Sequence, residues 1–235
     1  MDGWFKIDAK FRRFCNKKST DVGYYRTIGK DACTTPITLL MGPNGTGKSM
    51  SLQNIEYECN KENIICKRYS NKHNDIVQNW RDVSDLFSAF RSEGERIIDS
   101  VEKWASRELL KDLLTNEDNM YILFDELDSG LSLDRMYYFF SQLTYILVSE
   151  KTKHPNRIIK FIFTCNSYEM YEYFKEVSKV PFKAIWVPIK DTITINDYSE
   201  FKKLYLEYYN KMFKFNDKED KDGNNWKICR FWKIL

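Results

Sequence analysis

The chain has 235 residues, 43% hydrophobic and 30% charged, with a net charge of +3; this length accommodates one large or two small domains with a substantial core. The composition indicates a folded, soluble protein, and the charge is too small to argue for nucleic acid by itself. No apolar run approaches bilayer length, Met1-Asp2-Gly3-Trp4-Phe5-Lys6 lacks a signal-peptide pattern, and the six scattered cysteines form no C-x-x-C, so they read as reduced thiols of a cytoplasmic protein without a zinc site.

Residues 1–35 mix aromatic, basic and polar side chains, and a short antiparallel sheet is expected there. Tyr24 or Tyr25 could stack on an adenine ring, although ordinary sheet aromatics are the plainer reading. The apolar, β-prone run Ile37-Thr38-Leu39-Leu40-Met41 then leads into Gly42-Pro43-Asn44-Gly45-Thr46-Gly47-Lys48-Ser49, which fits G-x-x-x-x-G-K-[ST]. The glycines let the backbone curl around a ligand. Lys48 can reach β- and γ-phosphates, and the Ser49 hydroxyl can ligate Mg²⁺. A helix over about 47–60 follows, and its free N–H groups and dipole favour an anion near Met50. The loop therefore predicts binding of a nucleoside triphosphate.

Asn63 to Tyr69 reads as a second strand. Asp75 can cap a helix carrying Ile76, Val77, Trp80, Val83, Leu86, Phe87 and Phe90. Arg91-Ser92-Glu93-Gly94-Glu95 interrupts that period and opens a long helix running from Ile97 to Leu114. Such a turn offers free N–H groups and a hydroxyl, a second potential anion site. Met120 to Phe124 is continuously apolar, as in a central parallel strand, and ends in Asp125 and Glu126. The loop Leu127-Asp128-Ser129-Gly130-Leu131-Ser132 follows, then a helix from Leu133 to Glu150 and a buried strand from Ile158 to Thr164. Cys165-Asn166-Ser167 closes that strand. A helix over Tyr168 to Val177, a short strand Ala184 to Val187 and a helix Tyr198 to Phe213, capped by Asp197 or Asn196, complete the pattern. Alternating β and α elements predict an α/β fold with a mostly parallel sheet.

Parallel sheets place ligands at the C-terminal edge of their strands. Asp125 is there the expected partner of Mg²⁺, directly or through water, and Glu126 the base or orienter for an attacking water. Asn166, at the end of the next strand, would either sense the γ-phosphate or the water, or simply form a turn.

These pieces, in this order, resemble the nucleotide-binding domain of ABC-class ATPases, over about Thr38 to Glu169. The likeness is to the soluble branch with chromosome-maintenance, DNA-repair and small phage or defence-system proteins. Gly42 to Ser49 is similar to Walker A, Leu123-Phe124-Asp125-Glu126 to Walker B, Ser92-Glu93-Gly94-Glu95 to the signature turn, and Leu127 to Ser132 to the loop after Walker B. Thr164-Cys165-Asn166-Ser167 lies where the family has its switch histidine. Glu93 replaces a signature glycine, Arg91 a leucine, Ser132 an aspartate and Asn166 the histidine; Asn71, Asn74 and Gln78 compete for the Q-loop position.

The resemblance implies a P-loop NTPase: a mostly parallel central sheet flanked by helices, with a small N-terminal antiparallel β region and a short helical subdomain. The ATPase domain would span 1–215, with a helical insertion at about 72–115, and 216–235 would be a tail or docking segment. It further implies a head-to-tail homodimer formed on ATP binding, each Mg-ATP lying between Walker A of one subunit and Ser92 and Gly94 of the other. Asn166 at the switch position implies slow turnover. The expected activity is an ATP-driven switch acting on DNA or a partner protein. The alternatives are an ATP-gated scaffold with little hydrolysis and, less well matched, a transporter ATPase subunit. Lys227, Arg230 and Lys233 interleave with Trp226, Phe231 and Trp232 in the tail. That mix could meet nucleic acid, but docking on the chain's own core or a partner is the preferred reading.

Overall fold

The strand leading into the glycine-rich loop, β1 (Ile37–Met41), is buried at all five positions. A strand with no solvent face must lie inside a sheet covered on both sides, and the computed structural model has that arrangement. It describes residues 28–70, 93–115, 117–128 and 131–213. Several expectations fall outside the described residues: the N-terminal antiparallel region with Tyr24 and Tyr25, the helix begun by Asp75, the Q-loop candidates Asn71, Asn74 and Gln78, Ser92, Ser129-Gly130, and the tail.

Six strands form one sheet in the order β2-β3-β4-β1-β5-β6. They are β1, β2 (Ile65–Ser70), β3 (Met120–Asp125), β4 (Ile159–Cys165), β5 (Phe182–Trp186) and β6 (Asp191–Ile193). All pair in parallel except β6, which runs antiparallel to β5. The helices are α1 (Lys48–Lys61), α2 (Glu93–Trp104), α3 (Leu110–Thr115), α4 (Leu133–Lys153), α5 (Tyr168–Glu172) and α6 (Tyr198–Phe213). Wider π turns at Ala105–Leu109 and Tyr173–Val177 interrupt or end two of these helical runs. No helix among the described residues is long and apolar enough to cross a membrane.

Alternation along the strands sends neighbouring side chains to opposite faces. One face is aliphatic and thiol-lined: Leu40, Leu123, Ile162 and Ile185 meet Leu52, Ile55 and Cys59 of α1. The other is aromatic. Phe124 stacks on Phe163 at 4.9 Å, and Phe161, Trp104 of α2, Phe139 of α4 and Tyr69 surround it. Phe140 of α4 closes this layer against Phe163 at 5.5 Å and Phe174 at 5.2 Å. Phe140 is fully buried. Phe140→Ala should therefore cost about 3–5 kcal/mol, the usual range for deleting a buried ring, measurable by denaturant titration.

The chain divides into two units, Met1–Ile193 and Thr194–Leu235. In the second, α6 starts with a reciprocal cap: Glu200 N–H donates to Asp197 Oδ1 at 2.9 Å, and Asn196 N–H donates to Glu200 Oε2 at 2.7 Å.

Candidate functional site

Strand register brings distant residues to one edge. Met41 pairs with Cys165 across β1 and β4, so Gly42 and Asn166 leave the sheet side by side. Phe124 pairs with Phe163 across β3 and β4, which sets Asp125 level with Thr164. Ser70 pairs with Asp125 across β2 and β3. The glycine-rich loop, both predicted acids and Asn166 thus share the C-terminal edge, where parallel sheets bind ligands.

The loop is compact. Gly42 has φ 149°, and a Cβ there would lie 3.0 Å from both Pro188 Cδ and Thr46 Oγ1. Gly47, the residue before α1, has φ 92°, a left-handed conformation that suits glycine. Thr46 Oγ1 donates to Pro43 O at 2.8 Å and braces the curl. Lys48 is buried, and its ammonium donates to Gly42 O at 2.5 Å and Pro43 O at 2.9 Å. Burial pushes its pKa down, opposed by the charges of Asp128, Glu126 and Asp125. A buried ammonium held only by neutral carbonyls is poised to exchange them for phosphate oxygens. Asn44, Gly45 and Met50 are exposed, Met50 in the first turn of α1.

Asp125 is buried and fully engaged. Its Oδ1 accepts from Ser49 Oγ and Thr164 Oγ1, both at 3.0 Å, and its Oδ2 accepts from Arg68 Nη2 at 2.8 Å. Thr164 Oγ1 in turn accepts the Glu126 N–H at 2.7 Å, so one hydroxyl orders both acids. Glu126 has φ 58°, a strained conformation for a non-glycine residue, costing about 1–3 kcal/mol. The backbone thus leaves the extended conformation of β3 immediately after Asp125.

Asp128 ties the neighbouring loop down. Its Oδ2 accepts the N–H groups of Asn166 at 2.7 Å and Ser167 at 2.9 Å. Burial raises its pKa, opposed by those backbone donors. Ser167 caps α5, accepting the Met170 N–H at 3.4 Å. Asn166 is therefore held by its backbone beside the glycine-rich loop. The start of α2 reaches the same end of the sheet, because α2 leads through α3 into β3. There Glu95 pairs with Arg135 of the first turn of α4 at 3.2 Å. Gly94 lies in the opening turn of α2.

The Ser49 hydroxyl and the Asp125 carboxylate are hard oxygen donors 3.0 Å apart, a set that fits Mg²⁺. Among the described residues no group of three or more His, Cys, Asp or Glu could hold a metal. A cation at Ser49 and Asp125 would thus depend on further ligands such as phosphate oxygens, as Mg²⁺ at nucleotide sites does.

Lys48, Ser49, Asp125, Glu126 and Asn166 lie at one edge of the sheet, and the opening of α2, expected from sequence to meet the nucleotide of a second copy, lies toward the same edge. Arg68, Thr164 and Asp128 are the participants that reading misses. Arg68 and Thr164 sit inside strands, and only the pairing of β2, β3 and β4 shows that they meet Asp125.

No protein-family model matches the chain, and the comparison with curated proteins found no match. Among solved structures, the chain is similar to a DNA replication initiation factor, with 14% identity and TM-score 0.36 over 78% of this chain and 47% of that one. It is also similar to AMPPCP-bound DnaA from Aquifex aeolicus, with 16% identity and TM-score 0.35 over 81% and 49%. The ORC2 protein of Aeropyrum pernix matches with 15% identity and TM-score 0.32 over 75% and 45%. The chain spans about half the length of these structures. Likeness this distant carries nothing about activity.

Proposed function

We propose that the chain is a Mg-ATP hydrolase of the P-loop type whose nucleotide closes one copy of the chain against another. The observation that carries this reading is the convergence of Ser49 and Asp125, 3.0 Å apart, beside the buried Lys48 in a glycine-rich loop. Lys48 would neutralise phosphate charge. Ser49 and Asp125 would hold Mg²⁺, whose chemistry is to draw off charge developing between the β- and γ-phosphates. Glu126 would orient and deprotonate the attacking water. Asn166, its backbone fixed by Asp128, would report the γ-phosphate through its amide.

The two-copy arrangement follows the ABC-class resemblance. The opening turn of α2, where Glu95 pairs with Arg135, supplies a helix N-terminus suited to an anion. A neighbour's copy of that turn would complete the phosphate shell, and loss of the γ-phosphate would release it. The difference in affinity between the two nucleotide states is what such a switch requires. Whether the switch acts on a protein or on DNA depends on surfaces outside this site.

The test is the mass in solution of the full chain carrying Glu126→Gln, which should bind ATP without turning it over. Light scattering should report a monomer without nucleotide and a dimer with Mg-ATP. A monomer at saturating Mg-ATP sinks the two-copy reading, and a larger closed ring would replace the head-to-tail dimer.

A further inference from the structure

Arg68 lies in β2, two residues before the position that pairs with Asp125. Its guanidinium is largely buried, with 13% of the side chain exposed. Nη2 sits 2.8 Å from Asp125 Oδ2, and Nη1 sits 3.5 Å from Glu56 Oε2 on α1. Its Nε is enclosed without a hydrogen-bond partner. A strand interior is an expensive place for a guanidinium with an unsatisfied N–H. Packing alone would be served as well by an apolar side chain, so the charge at this position calls for a role.

That role follows from which oxygen Arg68 takes. Asp125 Oδ1 faces the Ser49 hydroxyl, the other candidate metal donor. Arg68 occupies Oδ2, so the oxygen facing Ser49 is Oδ1, which also accepts from Thr164 Oγ1 at 3.0 Å. Two effects result. The carboxylate is fixed for a one-point contact, which suits Mg²⁺ better than a larger ion that prefers to take both oxygens. More important, the carboxylate charge is offset by a guanidinium 2.8 Å away, which lies farther, at 3.5 Å, from Glu56. A bare divalent ion approaching Asp125 meets a carboxylate already paired with a guanidinium, and gains less from it, for the water it must shed, than from an unpaired carboxylate. A triphosphate brings oxygen ligands and negative charge of its own, which the paired carboxylate does not offer the ion.

We propose that Arg68 is a positioning residue that makes metal binding at Asp125 conditional on the nucleotide, so that Mg²⁺ and ATP enter as one unit. The proposal rests on the Mg-ATP reading above. It differs from a purely structural role for Arg68, in which the side chain stitches α1 to the sheet and metal affinity is indifferent to it.

The experiment is titration of the full chain with Mn²⁺, read by electron paramagnetic resonance, with and without ATP. Wild type should bind Mn²⁺ weakly alone and much more tightly with ATP. Arg68→Gln, with the charge removed, should bind Mn²⁺ without nucleotide at least about tenfold more tightly than wild type. Arg68→Lys, with the charge kept, should resemble wild type. Thermal unfolding confirms that each variant is folded. Should Arg68→Gln not fold, Arg68→Met carries the same expectation. Equal Mn²⁺ affinity of the wild type with and without ATP overturns the proposal whatever the variants do. So does nucleotide-free affinity in Arg68→Gln no tighter than in wild type. Failure of the Mg-ATP reading looks different: then wild type binds neither ATP nor Mn²⁺ when both are supplied.

Discussion

Glu126→Gln is expected to lower steady-state phosphate release by about 10²–10⁴-fold, the range a positioned general base contributes, while ATP still binds. The substitution keeps side-chain size and removes the proton acceptor. It also leaves intact the Glu126 N–H bond to Thr164 Oγ1, which fixes the backbone there. The effect should therefore appear in turnover and not in affinity, the pattern of an interaction made only in the transition state. Phosphate release and fluorescent ATP binding on the same preparation separate the two. Unchanged turnover would remove Glu126 from the mechanism. A wild type that binds ATP and releases no phosphate would favour an ATP-gated scaffold, the reading in which Asn166 cannot support hydrolysis.

Lys48→Ala should act at the earlier step. Its ammonium is buried against Gly42 O and Pro43 O; burial pushes its pKa down, and the charges of Asp128, Glu126 and Asp125 oppose that shift. Removing it leaves those three acids facing a triphosphate with no cation in the loop to separate them. The loss of charge-assisted hydrogen bonds, about 2–4 kcal/mol, corresponds to a fall in ATP affinity of about 30- to 1000-fold. ADP affinity should fall too, because in the proposed site Lys48 would reach the β-phosphate as well. Folding should be largely preserved: the lost bonds go to two loop carbonyls, and Thr46 Oγ1 still donates to Pro43 O.

Much of the sheet was legible in the sequence because burial on both faces writes itself as a near-continuous apolar run. Met120 to Phe124 does this without a break, while Ile37 to Met41 carries one threonine, Thr38, and Ile159 to Phe163 one lysine, Lys160, within otherwise apolar runs; each is a central strand. The glycine-rich loop was legible for a different reason, since its backbone needs residues that tolerate positive φ at Gly42, Gly45 and Gly47. The short strand Asp191–Ile193 was not. It is an edge strand with two exposed residues and one half-buried residue, so no hydrophobic pattern marks it. Nor was the split of the core into an aliphatic and an aromatic face, because Phe124 and Leu123 look alike in an apolar run and diverge only when the strand is pleated.

The site divides the same way. Lys48, Ser49, Asp125 and Glu126 announce themselves by local spacing. Arg68 and Thr164 do not, because their partner is reached across strand pairs from positions far along the chain. Asp128 reads as an ordinary loop acid until β4 is seen to end beside it, where it takes the N–H groups of Asn166 and Ser167. Residues that orient a catalytic group answer to tertiary register, and nothing in their immediate neighbours constrains them.

Titration of wild type and Lys48→Ala with a fluorescent ATP analogue in Mg²⁺ tests the nucleotide site most directly. The site described here predicts saturable binding of one nucleotide per chain in the wild type, competed by unlabelled ATP and strongly weakened by the substitution. Absence of saturable binding in the folded wild type, or equal binding in both proteins, would contradict it.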